Sequence, residues 1–276
     1  MTWINEISGA IFGGLTRLIA SLPDWLVLTV HGALMGILAL VVYALFSNQE
    51  AIKRTKNRLM ARLLEIRLFQ DDPLLTLSAF GRVLTGTAAY MKDSLKPLIV
   101  MLPIVVLWIA QLAGWFEWRP MNIGESVVVK AALKPETKLA GQPAALEVPQ
   151  GFEVETPAFR SPAGNEVLWR LRANAAGSGP LVLKVAGGTA EMPIVSGQKL
   201  AEVAPIKLGS TSGFWDRVLY PMDKPLAADS IFKEIHIDYP SRTLTIGGFE
   251  VNWLIWLLLV SIILGFALKK PFGVEF

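Results

Sequence analysis

Three long apolar runs constrain this chain more than any other feature of its sequence. They extend over residues 25–46, 97–116 and 251–268, and none of them contains a charged side chain. A helix needs about 20 consecutive apolar residues to cross the hydrocarbon core of a bilayer. Each run could instead be a buried helix of a soluble protein, but three such runs in 276 residues favour three transmembrane helices.

The overall composition agrees with this interpretation. Hydrophobic residues make up 53% of the chain and charged residues only 18%, whereas soluble domains are about 45–50% apolar and about 25% charged. The chain has no cysteine and only two histidines, which lie far apart in sequence. Disulfides and thiol chemistry are therefore excluded, and a histidine-rich metal site is disfavoured.

The distribution of basic residues predicts the direction of the three spans. The segment 47–96 carries nine basic and five acidic residues, and Lys269 and Lys270 follow the third run. Lysine and arginine concentrate in short cytoplasmic loops. We therefore expect residues 47–96 and the C-terminus inside, and the N-terminus and the segment between the second and third runs outside.

The N-terminal segment has the pattern of an amphipathic helix rather than that of a signal peptide. Its first basic residue is Arg17, and no small-residue cleavage site follows an apolar core. A helix with an apolar stripe directly before a span can lie flat in the membrane interface. An extension of the first span is the alternative, which Pro23 disfavours. The stripe consists of Ile4, Ile7, Ile11, Leu15, Leu18 and Leu22.

The segment 47–96 is predicted to form a coiled-coil hairpin of two antiparallel helices, with a turn at Asp71-Asp72-Pro73. Apolar stripes on both halves allow each helix to cover the other. The basic face of the first helix suits anionic lipid headgroups, and it equally suits a polyanion such as ribosomal RNA. This face consists of Lys53, Arg54, Lys56, Arg58 and Arg62.

Between the second and third runs, short β-type segments alternate with glycine and proline. The clearest segments are residues 127–133, 152–156, 167–172, 181–185 and 235–239. They predict an inserted all-β sandwich, with an immunoglobulin-like topology as one option and Trp169 as a core residue. Residues 209–213 are predicted to form a flexible loop, because Thr211 occupies the place that a nucleophile elbow gives to serine.

The predicted organisation is therefore an interfacial helix at 1–22, a span at 23–46, the cytoplasmic hairpin at 47–96 and a second span at 97–116. The extracytoplasmic β domain follows at 117–248, then the third span at 249–268 and a cytoplasmic tail at 269–276. The fold class is thus a membrane α-helical protein with an inserted β-sandwich domain.

Polar side chains in or next to the spans are the candidate functional residues, because polar groups at membrane depth usually face protein or a water-filled cavity. Thr29, Gln111 and Asn252 lie near span ends, where a polar group costs little free energy. Ser261 can form a hydrogen bond with the backbone of its own helix. His31 lies deepest and is the strongest candidate. The groove candidates are Thr29, His31, Gln111, Asn252 and Ser261.

Motifs for catalysis or nucleotide binding are absent from the sequence. It contains no P-loop, no dinucleotide fingerprint and no zincin motif. We therefore predict a non-enzymatic protein with no catalytic residues, no cofactor and no metal site.

Two short motifs resemble the YidC/Oxa/Alb membrane-insertase superfamily, most closely its archaeal YidC-like branch and the third subunit of the endoplasmic-reticulum membrane complex. Residues 47–53 (SNQEAIK) resemble the D-Q-E motif that starts the hairpin after the first span. Residues 91–97 (MKDSLKP) resemble the M-K-x-S-x-K-P motif that leads into the second span. The order of interfacial helix, span, basic hairpin and further spans is also similar. The resemblance covers residues 1–116 and the last span.

This resemblance implies an insertase or assembly factor that passes client membrane proteins or nascent chains through a polar groove, with the hairpin contacting the client or the ribosome. It implies a prokaryotic plasma membrane as the location. Two features differ from the family: bacterial members carry an arginine in the groove, and a domain of this size between the second and third spans is unusual. The alternative is a structural or interaction subunit of a membrane-envelope complex that docks a protein partner through its β domain.

Overall fold

A computed structural model describes residues 2–47, 49–68, 73–137, 139, 141–161 and 163–274. The chain divides into two compact units. The β unit comprises Met1–Val27 and Leu107–Trp253, and the helical unit comprises Leu28–Val106 and Leu254–Phe276.

Helices and strands follow one another in an order that interrupts a helical protein with a block of strands. Within the described residues the helices are α1 (Thr2–Leu18), α2 (Asp24–Phe46), α3 (Gln49–Leu68), α4 (Pro73–Phe116), α5 (Phe214–Leu219) and α6 (Trp253–Leu268). The strands are β1 (Ser126–Leu133), β2 (Ala144–Glu147), β3 (Phe152–Val154), β4 (Phe159–Ser161), β5 (Glu166–Ala173), β6 (Gly177–Val185), β7 (Gly188–Ser196), β8 (Ile206–Leu208), β9 (Phe232–Ile237), β10 (Leu244–Ile246) and β11 (Phe249–Val251).

Two larger antiparallel sheets and a separate two-stranded hairpin build the described part of the β unit. In its described part, six strands form a sheet with the order β3-β5-β1-β9-β8, to which β4 adds by pairing with β5. A second sheet has β6 between β2 and β7, and β10 pairs with β11 in a separate hairpin. The prediction that the region between the second and third apolar runs is rich in β-strands is confirmed.

One apolar core receives side chains from both sheets. Side chains alternate between the two faces of a strand, and the register places Val129 of β1 opposite Trp169 of β5 and Ile237 of β9. All three are buried, and they belong to the same cluster as Leu183 and Ile194 of the second sheet. The prediction that Trp169 is a core residue is confirmed.

Helix α1 packs one face against the rest of the β unit. The ring of Phe12 lies 4.7 Å from that of Trp108, and Gln111 Nε2 donates a hydrogen bond to Ser8 Oγ at 2.7 Å. Both partners come from the end of α4 that belongs to the β unit. The helix predicted before the first apolar run is thus present as α1, but it ends at Leu18 rather than at Leu22.

A buried arginine connects the start of α2 to the β unit's loops. Arg242 Nη1 donates to Asp24 Oδ2 at 2.6 Å, and Nη2 donates to the carbonyl of Lys199 at 2.9 Å. The Arg242 side chain is only 7% exposed. Replacing Arg242 would therefore leave the carboxylate of Asp24 and the carbonyl of Lys199 without this hydrogen-bond donor.

Helices dominate the other unit. Among the described residues, two helices are long and apolar enough to cross a membrane by length and composition: α2, and α4 from Phe80 to Phe116. Helix α6 is apolar but has 16 residues. It is shorter than the run at 251–268 because Val251 pairs with Leu244 in the β10–β11 hairpin, so the helix begins only at Trp253.

The second half of the predicted hairpin and the second predicted span form one continuous helix. Helix α4 has 44 residues and runs through Pro97 and Pro103. It begins at Pro73, a residue favoured in the first turn because its missing N–H has no partner there. Asp71 and Asp72 of the predicted turn lie outside the described residues.

The segment after β8 contains an element that the sequence pattern did not suggest. Residues 209–213 form an irregular turn, in agreement with the predicted loop, and α5 begins directly after them. With six residues, α5 is too short for hydrophobic periodicity to reveal it.

Candidate functional site

The five groove candidates have different environments. Thr29 Oγ1 accepts a hydrogen bond from Trp256 Nε1 at 2.9 Å, which joins α2 to α6. Ser261 Oγ donates to the carbonyl of Leu258 in its own helix. Asn252 is exposed and lies just before α6 rather than within it.

The remaining two candidates, His31 and Gln111, are packing residues in this structure. His31 is 0% exposed and lies in the interior of the helical unit. Gln111 is 3% exposed and is bonded to α1 within the β unit, as described above. These two polar residues within apolar runs therefore lie at buried contacts between helices. A buried polar group needs a hydrogen-bond partner, which such contacts can supply.

A groove of about 450 Å³ lies between α2, α4 and α6 of the helical unit. We call it the helical groove. Among its described lining residues, Tyr43, Tyr90 and Ser261 carry hydroxyl groups and the others are apolar or glycine. The larger apolar members are Met35, Leu40, Leu98, Met101, Val105, Leu258, Ile262 and Phe266. Of the sequence candidates, Ser261 lines this groove.

The helical groove occupies the parts of the helices nearest to the basic segments of the sequence. Its α2 residues run from Met35 to Tyr43 and therefore precede the start of α3, and its α4 residues begin at Tyr90. On α6 they extend from Leu258 to Phe266, just before the two C-terminal lysines. The groove thus reaches the ends of α2 and α6 at which the chain becomes basic.

Two glycines allow α2 and α6 to touch through their backbones at the base of the groove. A Cβ atom on Gly36 would lie 2.6 Å from the carbonyl oxygen of Ser261, and one on Gly32 would lie 3.0 Å from that of Leu257. Glycines four residues apart share one helix face and permit this approach. The spacing is visible in the sequence and is the signal that could have located this contact in advance.

The segment after α6 packs onto the end of the groove. Val274 is buried against Leu40 and Tyr43, and Tyr90 lies next to this cluster. The backbone turns back through a hydrogen bond from Val274 N to the carbonyl of Lys269 at 2.9 Å. Leu40, Tyr43 and Tyr90 all line the groove, so the C-terminal segment supports that end of its wall.

The predicted basic face lies on α3. Lys53, Arg54 and Arg58 are exposed and Lys56 is half-buried, whereas the side chain of Arg62 lies outside the described residues. Arg54 Nη2 is 2.6 Å from Glu50 Oε2, one helical turn away. An exposed pair of this kind contributes little stability and leaves the face basic.

A smaller cavity of about 250 Å³ lies in the β unit beside α1. Charged residues of both signs line it, including Arg17, 3.7 Å from Glu202, and Lys224, 3.1 Å from Glu6. Burial raises the pKa of Glu202 above its ordinary value, and the charge of Arg17 opposes this shift. Since these side chains come from distant parts of the chain, sequence patterns gave no sign of the cavity.

Within the described part of the chain, no three histidine, aspartate or glutamate side chains are grouped so that they could hold a metal ion. The apolar helical groove is therefore the candidate functional site.

Comparison with protein-family models, curated proteins and solved structures finds no significant match to this chain.

Proposed function

We propose that this protein is a membrane-protein biogenesis factor of the YidC/Oxa type, which receives apolar transmembrane segments of newly made membrane proteins. The observation that carries the proposal is the helical groove, an open cleft between α2, α4 and α6 with an almost entirely apolar wall. A cleft of this chemistry in a helix bundle suits another apolar helix. The function requires no covalent chemistry and no cofactor.

The proposal includes a membrane arrangement with α2, the second half of α4 and α6 as three spans. The β unit lies outside, and α3 with the first part of α4 lies in the cytoplasm. Large apolar side chains are exposed on all three helices, for example Ile37, Leu102 and Ile263. Soluble proteins rarely expose large contiguous apolar patches, whereas lipid covers exposed apolar side chains favourably.

The short third helix supports an insertion role. At a rise of 1.5 Å per residue, 16 residues extend over about 24 Å, less than the roughly 30 Å of a typical hydrocarbon core. A bilayer adapts to a short helix by becoming thinner around it. Thinning beside the groove would shorten the apolar path that a polar flank of a client has to cross.

The position of the groove also supports this role. In the proposed arrangement the basic hairpin is cytoplasmic, so a groove near the ends of α2 and α6 that lead into basic segments lies in the cytoplasmic half of the membrane. A client that arrives from the ribosome would meet this half first. The exposed Lys53, Arg54 and Arg58 of α3 would hold the hairpin near anionic headgroups or ribosomal RNA.

The wall of the groove indicates which segments it accepts. Met35 and Met101 are flexible and polarisable, so they can adapt to different apolar side chains. The hydroxyls of Tyr43, Tyr90 and Ser261 can bond an occasional polar group. The family resemblance implied a polar groove. From this lining we instead expect clients that are predominantly apolar with few polar residues.

Site-specific photocrosslinking in native membranes tests the proposal. One probe replaces Met101 in the groove, and a control probe replaces Ile255, which is exposed on α6 but does not line the groove. We expect many short-lived adducts to newly synthesised membrane proteins from position 101, and far fewer from position 255. Gly265→Phe should abolish the adducts at 101, because Gly265 lines the groove and the added ring has open space there.

Other outcomes contradict the proposal in different ways. Equal adducts at both positions, or adducts to lipid alone, would mean that the groove does not select protein segments. A single dominant protein adduct that persists after synthesis is stopped would favour the alternative, a subunit of a membrane-envelope complex whose groove is permanently filled by one partner helix.

A further inference from the structure

Helix α5 exposes apolar side chains that packing does not explain. Phe214, Trp215 and Leu219 are 54%, 65% and 48% exposed, and no residue of this helix is buried. The rings of Phe214 and Trp215 meet edge to face with centroids 5.3 Å apart. A compact aromatic pair therefore projects from the surface of the β unit, where such clusters commonly mark a contact surface.

Helix α1 has an uncovered apolar face as well. Trp3, Ile7 and Ile11 are exposed and recur every four residues, so they share one side of the helix. On the other side, Ser8 and Thr16 are buried against the β unit. Contacts within the β unit thus account for one face of α1 and leave the apolar face open.

Two polar contacts hold α1 to α5 and the chain that follows it. Asn5 Nδ2 donates a hydrogen bond to the carbonyl of Arg217 at 2.9 Å, and Lys224 Nζ lies 3.1 Å from Glu6 Oε1. These contacts place α5 beside α1, and a helix with its side chains is about 10–12 Å wide. Helix α5 therefore lies within about one helix width of α1.

We propose that α5 is a second membrane anchor, which inserts Phe214, Trp215 and Leu219 into the headgroup region of the leaflet on which α1 lies. This inference rests on the membrane arrangement of the proposed function, because α1 ends at Leu18 and the first span begins at Asp24. That short connection keeps α1 at the outer membrane surface, and the contacts with α1 bring α5 to the same surface.

A lipid surface explains the composition of this region better than a protein partner does. Tryptophan favours the membrane interface, where its ring is apolar but its N–H needs a polar neighbour. Phenylalanine and leucine occur with tryptophan on the apolar face of helices that lie in this interface. The side chains of Arg17 and Lys224 are paired with Glu202 and Glu6 but are still 70% and 80% exposed, so lipid phosphates can approach them as well.

Spin labels report the depth of single residues in the full-length protein, and the absence of native cysteine allows one label at a time. The protein is reconstituted in vesicles of phosphatidylethanolamine and phosphatidylglycerol. Labels are placed at Leu219→Cys on α5, Ile7→Cys on α1, Ile255→Cys on α6 and Phe159→Cys on β4. Phe159 is the matched control, since it is apolar and 66% exposed but lies on a strand.

We expect the ratio of collisions with oxygen to collisions with a water-soluble nickel chelate to be several-fold higher at positions 219 and 7 than at 159. In the background of Phe214→Ser with Trp215→Ser, the ratio at 219 should fall to that at 159, while the ratio at 7 stays unchanged. This result separates insertion by the aromatic pair from a general effect on the fold.

A label at 219 that is as accessible to nickel as the label at 159 would overturn the inference, and so would a label shielded from both reagents, which indicates a protein cover. In either case an immersed label at 255 leaves the proposed membrane arrangement intact. If the label at 255 is itself accessible to nickel, the arrangement and the proposed function fail together with the inference.

Discussion

Replacing Gly36 by alanine should weaken the contact between α2 and α6 that forms the base of the helical groove. The added Cβ atom would lie 2.6 Å from the carbonyl oxygen of Ser261 and 3.2 Å from its Cα. Backbone atoms cannot rotate away as a side chain can, so the two helices must separate. Gly265→Ala on α6 is the matched control, because nothing lies within 4 Å of the position its Cβ would occupy.

The difference between these two variants isolates the cost of the overlap. Both exchanges gain helix propensity, about 0.8–1.0 kcal/mol for glycine to alanine in water. Overpacking a well-packed interior typically costs about 1–3 kcal/mol. Gly36→Ala should therefore be less stable than Gly265→Ala by about 1–3 kcal/mol, and Gly265→Ala should be at least as stable as the unsubstituted protein.

Unfolding of the purified full-length proteins in detergent, followed by tryptophan fluorescence and by helical circular dichroism, measures this difference. Gly32→Ala should show a smaller loss than Gly36→Ala, since its Cβ would meet the nearest atoms at 3.0 Å rather than 2.6 Å. Equal stability of Gly36→Ala and Gly265→Ala would refute the reasoning, because it would mean that α2 and α6 do not meet through their backbones.

Three further predictions concern the β unit. Arg242→Met should destabilise the protein by about 3 kcal/mol, near the lower end of the range for breaking a buried ion pair, because Asp24 loses its partner but is itself 35% exposed. Arg170→Met, which removes an exposed partner of Glu155, should cost much less, because exposed ion pairs contribute little stability. Equal losses of stability in thermal unfolding of the two variants would contradict this difference. The hydrogen bond from Arg119 lowers the pKa of Glu125, so its stabilisation is present above the ordinary carboxyl pKa and is lost as the pH falls through the lowered value. Unfolding measured over a pH series should show a shallower acid loss for Glu125→Gln, and an unchanged slope would argue against the pair. Burial raises the pKa of Glu202, so stability should instead decrease as the pH rises through that raised value. Glu202→Gln should remove this decrease in the same series, and a variant that retains it would show that another group is responsible.

Several features followed from the sequence because they depend on local pattern and average burial. The long apolar runs correspond to α2 and to the end of α4, since a charge-free segment of about 20 residues has few alternatives to a buried or membrane helix. The stripe beginning at Ile4 corresponds to α1. Trp169 lies in the core of the β unit because it points inward in a strand with alternating burial. A period of 2 or 3.6 residues is a property of the chain itself.

Function-related positions depended on contacts between distant segments. Polarity drew attention to His31 and Gln111, yet both are buried in helix packing, and the groove is built largely from apolar residues that look alike in the sequence. Asn252 falls outside α6 because β10 and β11 pair and delay the start of that helix. Strand pairing and helix packing join residues that are far apart in the sequence. A local sequence pattern therefore cannot reveal which residues will be in contact.

The sequence by itself therefore determined the type of the elements, the charge of the segment 47–96 and the location of the β-rich insertion between apolar segments. The tertiary structure decided which faces of α2, α4 and α6 remain open as a groove, and that α5 lies against α1. The physical reason is that the sequence gives the hydrophobicity of each side chain, whereas the packing of the folded chain determines whether protein buries that side chain. Phe214, Trp215, Ile7 and the groove wall around Met101 are among the apolar places that protein does not cover.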